Sequence, residues 1–293
     1  MNFLKQGYYF FIYTNLLIGG AAAAQCALTY IFFESAFNYS IIAIEGAATL
    51  LLYNFSLVLS KPKDPKASIY RRTRWVFQNE WILWLNSALA GAVLLYTVYH
   101  LHIYNLLFLT AIGGLSMAYS FPIFPYRGKM VGLRQLPGMK IFHIALVWTL
   151  SSVCLPAFQL HLDGLEIDHH RLLFLFLLKF VFLIICTLPF DIRDIQQDSY
   201  YHLKTIPSML GAEKAINLCY LLLGLHSLGI VIADFQFPVK IGILLTNILI
   251  GIVLKRVVFR NRDRYHYAYL LDFALIVQFI FVACSVAIWS YWL

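Results

Sequence analysis

Nine apolar stretches of about twenty residues, separated by short polar connections, limit what this chain can become. They run over residues 8–33, 40–59, 81–99, 103–123, 139–160, 172–190, 215–233, 237–254 and 268–292. A helix of about 20 residues matches a hydrocarbon core of about 30 Å. Only helices and closed barrels keep every backbone group paired in lipid. Barrel strands would show as alternating segments of about ten residues, half the length seen here. Charge agrees: 61% of the 293 residues are hydrophobic and 12% are charged, about half the charged fraction of a soluble domain. The expected fold class is all-α, a polytopic membrane protein with nine transmembrane helices in two pseudo-repeated four-helix halves plus a ninth helix. Residues 1–293 read as a single domain.

The basic residues give the orientation. Of the 22 Lys and Arg, 19 precede the first segment or follow the second, fourth, sixth and eighth. Cytoplasmic loops carry such an excess, so the N-terminus is expected in the cytoplasm and the C-terminus on the opposite side. The net charge of +8 is then a topology signal with affinity for membrane lipids and phosphates, and no nucleic-acid partner is expected. The period of four segments in this map suggests an internal duplication, with a site between the halves facing the cytoplasm. Cys26, Cys154, Cys186, Cys219 and Cys284 lie in apolar segments without zinc-ligand spacing.

Chemistry concentrates where the sixth segment enters its cytoplasmic loop, at Pro189-Phe190-Asp191-Ile192-Arg193-Asp194-Ile195-Gln196-Gln197-Asp198. On a continuous helix Asp191, Asp194 and Asp198 fall inside an arc of about 60°. Three like charges there repel unless a cation lies between them. Hard oxygen ligands at a water-accessible helix end suit Mg²⁺, which bridges readily to substrate phosphates. A solvated acidic helix end with Arg193 as its partner is the plainer alternative.

This stretch resembles the second acidic motif of the UbiA superfamily of intramembrane aromatic prenyltransferases, which have nine helices and N-D-x-x-D-x-x-x-D-type motifs after helices 2 and 6. The second motif is followed there by K-T-L/I-P-x-x-x-G, matched by Lys204-Thr205-Ile206-Pro207-Ser208-Met209-Leu210-Gly211. A Y-S-x-P-P element ending helix 4 is matched by Tyr119-Ser120-Phe121-Pro122, followed by Arg127 and Lys129 and then Pro137 and Lys140. The resemblance spans nearly the whole chain. It implies that Asp191, Asp194 and Asp198 hold Mg²⁺ on the diphosphate of a polyprenyl diphosphate donor, that ionisation gives an allylic cation, and that a lipophilic aromatic or quinone-precursor acceptor attacks it. Tyr119 and Asn54 would position the reacting groups, and Lys204 would contact the diphosphate.

The chain departs from that pattern at the first motif. With Asn54 set on the first Asn, Phe55, Val58 and Pro62 stand where the three Asp residues belong, and the loop carries Lys61, Lys63, Lys66, Arg71, Arg72 and Arg74. Either Lys61, Lys63 and the Arg71–Arg74 cluster grip the diphosphate in place of one metal, Arg being suited to bidentate phosphate contact, or the site has decayed and the protein binds isoprenoid or quinone lipids without transfer. Glu45 and Lys179, inside the second and sixth segments, are expected to pair, since lone charges there are costly. A relay through them would make the protein transporter-like. Asp272 is expected near a local basic network. A CDP-alcohol phosphotransferase fits less well, because its D-G-x-x-A-R core is absent.

Overall fold

The computed structural model describes residues 3–68, 70–119, 121–126, 128–200, 203–260 and 267–292. Ser120, Arg127, Arg262 and Arg264 lie outside the described residues, as does the side chain of Lys5. Helices α1 (Phe3–Tyr13) and α2 (Leu16–Phe32) are followed by α3 (Tyr39–Leu59), the short amphipathic α4 (Arg71–Gln78), α5 (Glu80–Tyr99) and α6 (Ile103–Ala118). A two-stranded hairpin, β1 (Phe124–Tyr126) and β2 (Lys129–Val131), pairs Phe124 with Val131 and Tyr126 with Lys129. Then come α7 (Met139–Thr149), continued through a π turn at Leu150–Cys154 into α8 (Leu155–Leu162), α9 (His169–Arg193), α10 (Ile195–Tyr200), α11 (Ile206–Leu210), α12 (Ala212–Ile232), α13 (Phe237–Val253) and α14 (Leu270–Trp292).

Seven helical segments among the described residues are long and apolar enough to cross a membrane. Two of the nine expected spans differ. The apolar run 8–33 is broken at Asn15, which adopts the left-handed conformation (φ 60°), and α1 turns 77° away from α2. Asn enters that region more readily than a branched residue does. Thr14, just before it, bonds its hydroxyl back to the Phe10 carbonyl and closes the end of α1. The other is α6, whose 16 residues reach only about 24 Å.

Exposed Leu, Ile and aromatic side chains cover the outer faces of the long helices, as lipid contact requires. Inside, packing is close. A side chain at Gly19 of α2 would stand 3.1 Å from the Gly46 carbonyl of α3, and one at Gly242 of α13 would stand 2.5 Å from Val282 Cα of α14. The largest core joins α2, α7, α9, α12, α13 and α14 around Phe182, Ile185, Leu188 and Ile250. Pro189 lacks the N–H that would bond the Ile185 carbonyl four residues back. Cys219 Sγ of α12 meets that carbonyl at 3.7 Å instead.

Glu45 and Lys179 are both buried in the bundle, but they do not form the expected ion pair. Glu45 accepts a 2.6 Å hydrogen bond from Ser151, which the π turn presents, and Lys179 donates to the Gln25 carbonyl at 3.0 Å. Each charge is satisfied by a neutral dipole on a different helix.

Candidate active site

Among α1, α2, α3, α4, α7, α9 and α14 lies a cavity of about 240 Å³. Its walls are largely apolar, with Ile18 from α2, Trp148 from α7, Leu183 and Cys186 from α9 and Leu275 from α14. The polar lining includes three cations, Arg72, Lys140 and Arg193, and three carboxylates, Asp191, Asp194 and Asp272. Their formal charges cancel. The site is thus an apolar chamber with a charge-balanced ring of ionic groups.

The ring is assembled from distant parts of the chain. Arg72 is held by α4, whose apolar face packs Val76 and Trp75 against Tyr9, Tyr13 and Leu17. Its guanidinium donates to Asn15 Oδ1 at 2.6 Å and to the Tyr269 hydroxyl at 3.0 Å, while its Nε is buried without a partner. Asn15 donates to Asn54 Oδ1 at 2.9 Å, and Asn54 donates to Ser87 at 2.9 Å. The αL break at Asn15 therefore turns one amide toward both Arg72 and Asn54. Asn54 is bonded to Asn15 and does not itself line the cavity.

Two of the motif carboxylates converge on one amine, and the third pairs with Arg193. The helix expected to carry all of them is interrupted at Asp194, which caps α9. Lys140 Nζ sits 2.8 Å from Asp191 and 3.0 Å from Asp198. Arg193 grips Asp194 through two bonds of 2.7 Å. Among the described residues no group of three or more His, Cys, Asp or Glu side chains is gathered that could hold a metal. Asp198 lies outside the cavity lining and is engaged by Lys140. Asp191 and Asp194 do line the cavity, and Asp191 Oδ2 is buried with no hydrogen-bond partner. Such an orphaned oxygen fits a cation that is completed by substrate oxygens and water rather than by a protein cage.

Other sequence-predicted residues fall elsewhere. Lys61 is exposed and paired with Glu80 at 2.8 Å. Lys63 and Lys204 are exposed and do not line the cavity. Lys204 contributes its carbonyl, which accepts from Gly138 N at 2.7 Å. The adjoining Thr205 and Ser208 cap α11, and Gly211, at φ 85°, separates α11 from α12. The Lys-Thr-Ile-Pro stretch thus fastens the acidic loop to the start of α7.

Tyr119 lines a second, mostly apolar groove of about 420 Å³ between α3, α6 and α7, which shares Tyr53, Ile144 and Trp148 with the cavity. Lys140, Arg193, Tyr269 and Asn15 were not singled out as site residues by the sequence. Charges at the ends of apolar segments were the available signal for the first two, and a polar side chain inside an apolar run for Asn15.

No family model matches the sequence, and no curated protein matches it. Solved structures do. A UbiA homologue from Archaeoglobus fulgidus bound to GPP and Mg²⁺ aligns over 95% of this chain and 99% of its own, with TM-score 0.59 at 15% identity. An apo UbiA homologue from Aeropyrum pernix K1 aligns over 94% and 98%, with TM-score 0.62 at 14% identity. The chain has the UbiA fold. A structure described for digeranylgeranylglyceryl phosphate synthase in membranes also aligns, over 97% of this chain and 99% of its own, with TM-score 0.51 at 13% identity. The UbiA fold thus extends over nearly the whole length, as the motif resemblance implies.

Proposed function

We propose that residues 1–293 form one intramembrane prenyltransferase domain that transfers an isoprenyl group from a prenyl diphosphate to a lipophilic acceptor, with Mg²⁺ as cofactor. The observation that carries this reading is the balanced ring of Arg72, Lys140 and Arg193 with Asp191, Asp194 and Asp272 above an apolar chamber. A multiply charged diphosphate does not enter a neutral, weakly polarisable cavity unless a cation enters with it. Asp191 and Asp194 would hold that Mg²⁺ together with diphosphate oxygens, and the ion supplies the charge neutralisation that makes diphosphate a leaving group. Arg72 replaces the missing first acidic motif by direct contact with the diphosphate, its fork already aimed by Asn15 and Tyr269. Lys140 and Arg193 release their carboxylates in part and turn to the phosphate oxygens. The apolar walls exclude water from the allylic centre, and Phe190, Trp148 and Tyr53 offer ring faces to a carbocation.

Nine spans in two four-helix halves plus one, with the N-terminus cytoplasmic, would place the diphosphate near the cytoplasmic leaflet, where soluble donors arrive. A second reading is favoured by the ion pairs already made by all three motif carboxylates: isoprenoid or quinone-lipid binding without turnover.

The test is diphosphate release from geranyl and geranylgeranyl diphosphate by the protein in lipid nanodiscs with and without Mg²⁺. Release that requires Mg²⁺ and disappears in Asp191→Asn and Asp194→Asn supports transfer. Donor binding with no release across both donors and a panel of acceptors would leave the binding reading.

A further inference from the structure

The groove beside the cavity contains a buried group that the ionic ring does not use. His143, on α7, is 4% exposed, and its Nε2 is buried with no hydrogen-bond partner. The ring is fixed on other sides. It stacks on Tyr119 with centroids 5.4 Å apart and planes 23° from parallel. A neutral imidazole carries its proton on one ring nitrogen only, and with that proton on Nδ1 the buried Nε2 is the bare acceptor. Nε2 of that tautomer presents a lone pair and requires a donor. No described side chain supplies one.

The surroundings say what kind of donor fits. Tyr53, Tyr119 and Trp148 supply aromatic lining, with Arg134 5.7 Å from the Tyr119 ring centroid, and Tyr53, Ile144 and Trp148 also line the cavity. Leu52, Phe55, Met117 and Phe121, at the rim, are exposed on the outer surface, where lipid contacts the bundle. A molecule can therefore enter from the bilayer and lie among aromatic side chains beside the chamber.

We infer that this groove is the acceptor subsite and that His143 Nε2 accepts a hydrogen bond from the hydroxyl of an aromatic acceptor. The inference rests on the prenyltransferase reading for the name "acceptor", but the subsite itself is a property of the groove. Recognition by a single buried acceptor atom discriminates strongly. An isostere that cannot donate leaves Nε2 unpaired and loses the bond, while still occupying the aromatic slot.

The probe pair is 2-naphthol and 2-methoxynaphthalene, which differ in the ability to donate. Their affinities are measured by fluorescence on the full chain in nanodiscs, corrected for partition into protein-free nanodiscs. Wild type is expected to bind 2-naphthol at least tenfold more tightly. In His143→Phe, which keeps the stack on Tyr119 and removes Nε2, the preference is expected to fall below twofold. His143→Gln, which restores an acceptor, should recover part of it. Circular dichroism and gel filtration identify any variant that has not folded, and in that case the wild-type preference alone decides. Equal binding of the two probes by wild type, no binding of either, or a preference that survives in folded His143→Phe overturns the inference. Geranyl diphosphate binding by wild type is measured in parallel. Its absence would remove the prenyltransferase reading while leaving the naphthol result standing, so the two failures are distinguishable.

Discussion

Arg72 offers the sharpest test of how the site manages without a first acidic motif. Its guanidinium makes bonds of 2.6 Å to Asn15 and 3.0 Å to Tyr269 and keeps one buried nitrogen unpaired. Arg72→Met retains much of the side-chain volume and removes the charge and the fork. A hydrogen bond to a charged group is worth about 1.5–3 kcal/mol, so losing one charge-assisted contact to the diphosphate should raise the donor Kd about 10- to 150-fold by that same range. Arg72→Lys keeps the charge but cannot bond Asn15, Tyr269 and phosphate at once, and should fall between wild type and Met. Stability changes separately: Arg72→Met leaves the buried Asn15 Oδ1 without its donor, at a cost of about 1–3 kcal/mol. The assay is geranyl diphosphate binding in nanodiscs at fixed Mg²⁺, alongside thermal unfolding. A Kd within twofold of wild type in a folded Arg72→Met protein would refute the reasoning, because it would mean that the diphosphate sits out of reach of Arg72.

Three further outcomes follow from the same geometry. Lys61→Ala and Lys63→Ala should change donor Kd by less than about threefold, since both side chains are exposed and outside the cavity lining and exposed charges are worth little; a tenfold loss in either would relocate the diphosphate to the loop. In a Mg²⁺ titration of donor binding, Asp191→Asn and Asp194→Asn should shift the midpoint more than tenfold upward while Asp198→Asn shifts it less than threefold, and equal shifts in all three would restore the three-carboxylate site. Gly242→Ala should destabilise the bundle by about 1–3 kcal/mol by overpacking, because its new Cβ would stand 2.5 Å from Val282 Cα; an unchanged unfolding temperature in detergent would show that α13 and α14 do not meet there.

What could be read from the sequence was whatever is local. Apolar runs of bilayer length and their basic flanks depend only on composition along the chain, and the spacing Asp191, Asp194, Asp198 lies within two turns. What could not be read was set by contacts between distant segments. Lys140 reaches Asp191 and Asp198 only because α7 packs against α9, and nothing in a basic loop distinguishes it from its neighbours. Arg72 reaches the cavity while Lys61 and Lys63 do not, because α4 buries its aromatic side and so fixes which of its residues turns inward. The break at Asn15 was hidden by the apolar run on either side of it. Asp272 was the reverse case: a lone carboxylate in an apolar segment was visible as an anomaly, and the fold gives it Arg72 and Arg193 as cationic neighbours.

The two short helices differ in what they require of the surrounding lipid. With α1 turned aside, α2 retains 17 residues, about 25 Å, and α6 has 16, about 24 Å, against an average hydrocarbon thickness of about 30 Å. Nearly all of α2 is buried by protein, whereas α6 exposes Ile103, Tyr104 and Leu107, so lipid beside α6 must compress, at a cost of fractions of a kcal/mol for each ångström of mismatch. Membranes already thin relieve that strain, and thick, sterol-stiffened ones increase it. Bilayer thickness is thus felt at α6, while α2, shortened by the bend that brings Asn15 to Arg72, is shielded from it by its neighbours.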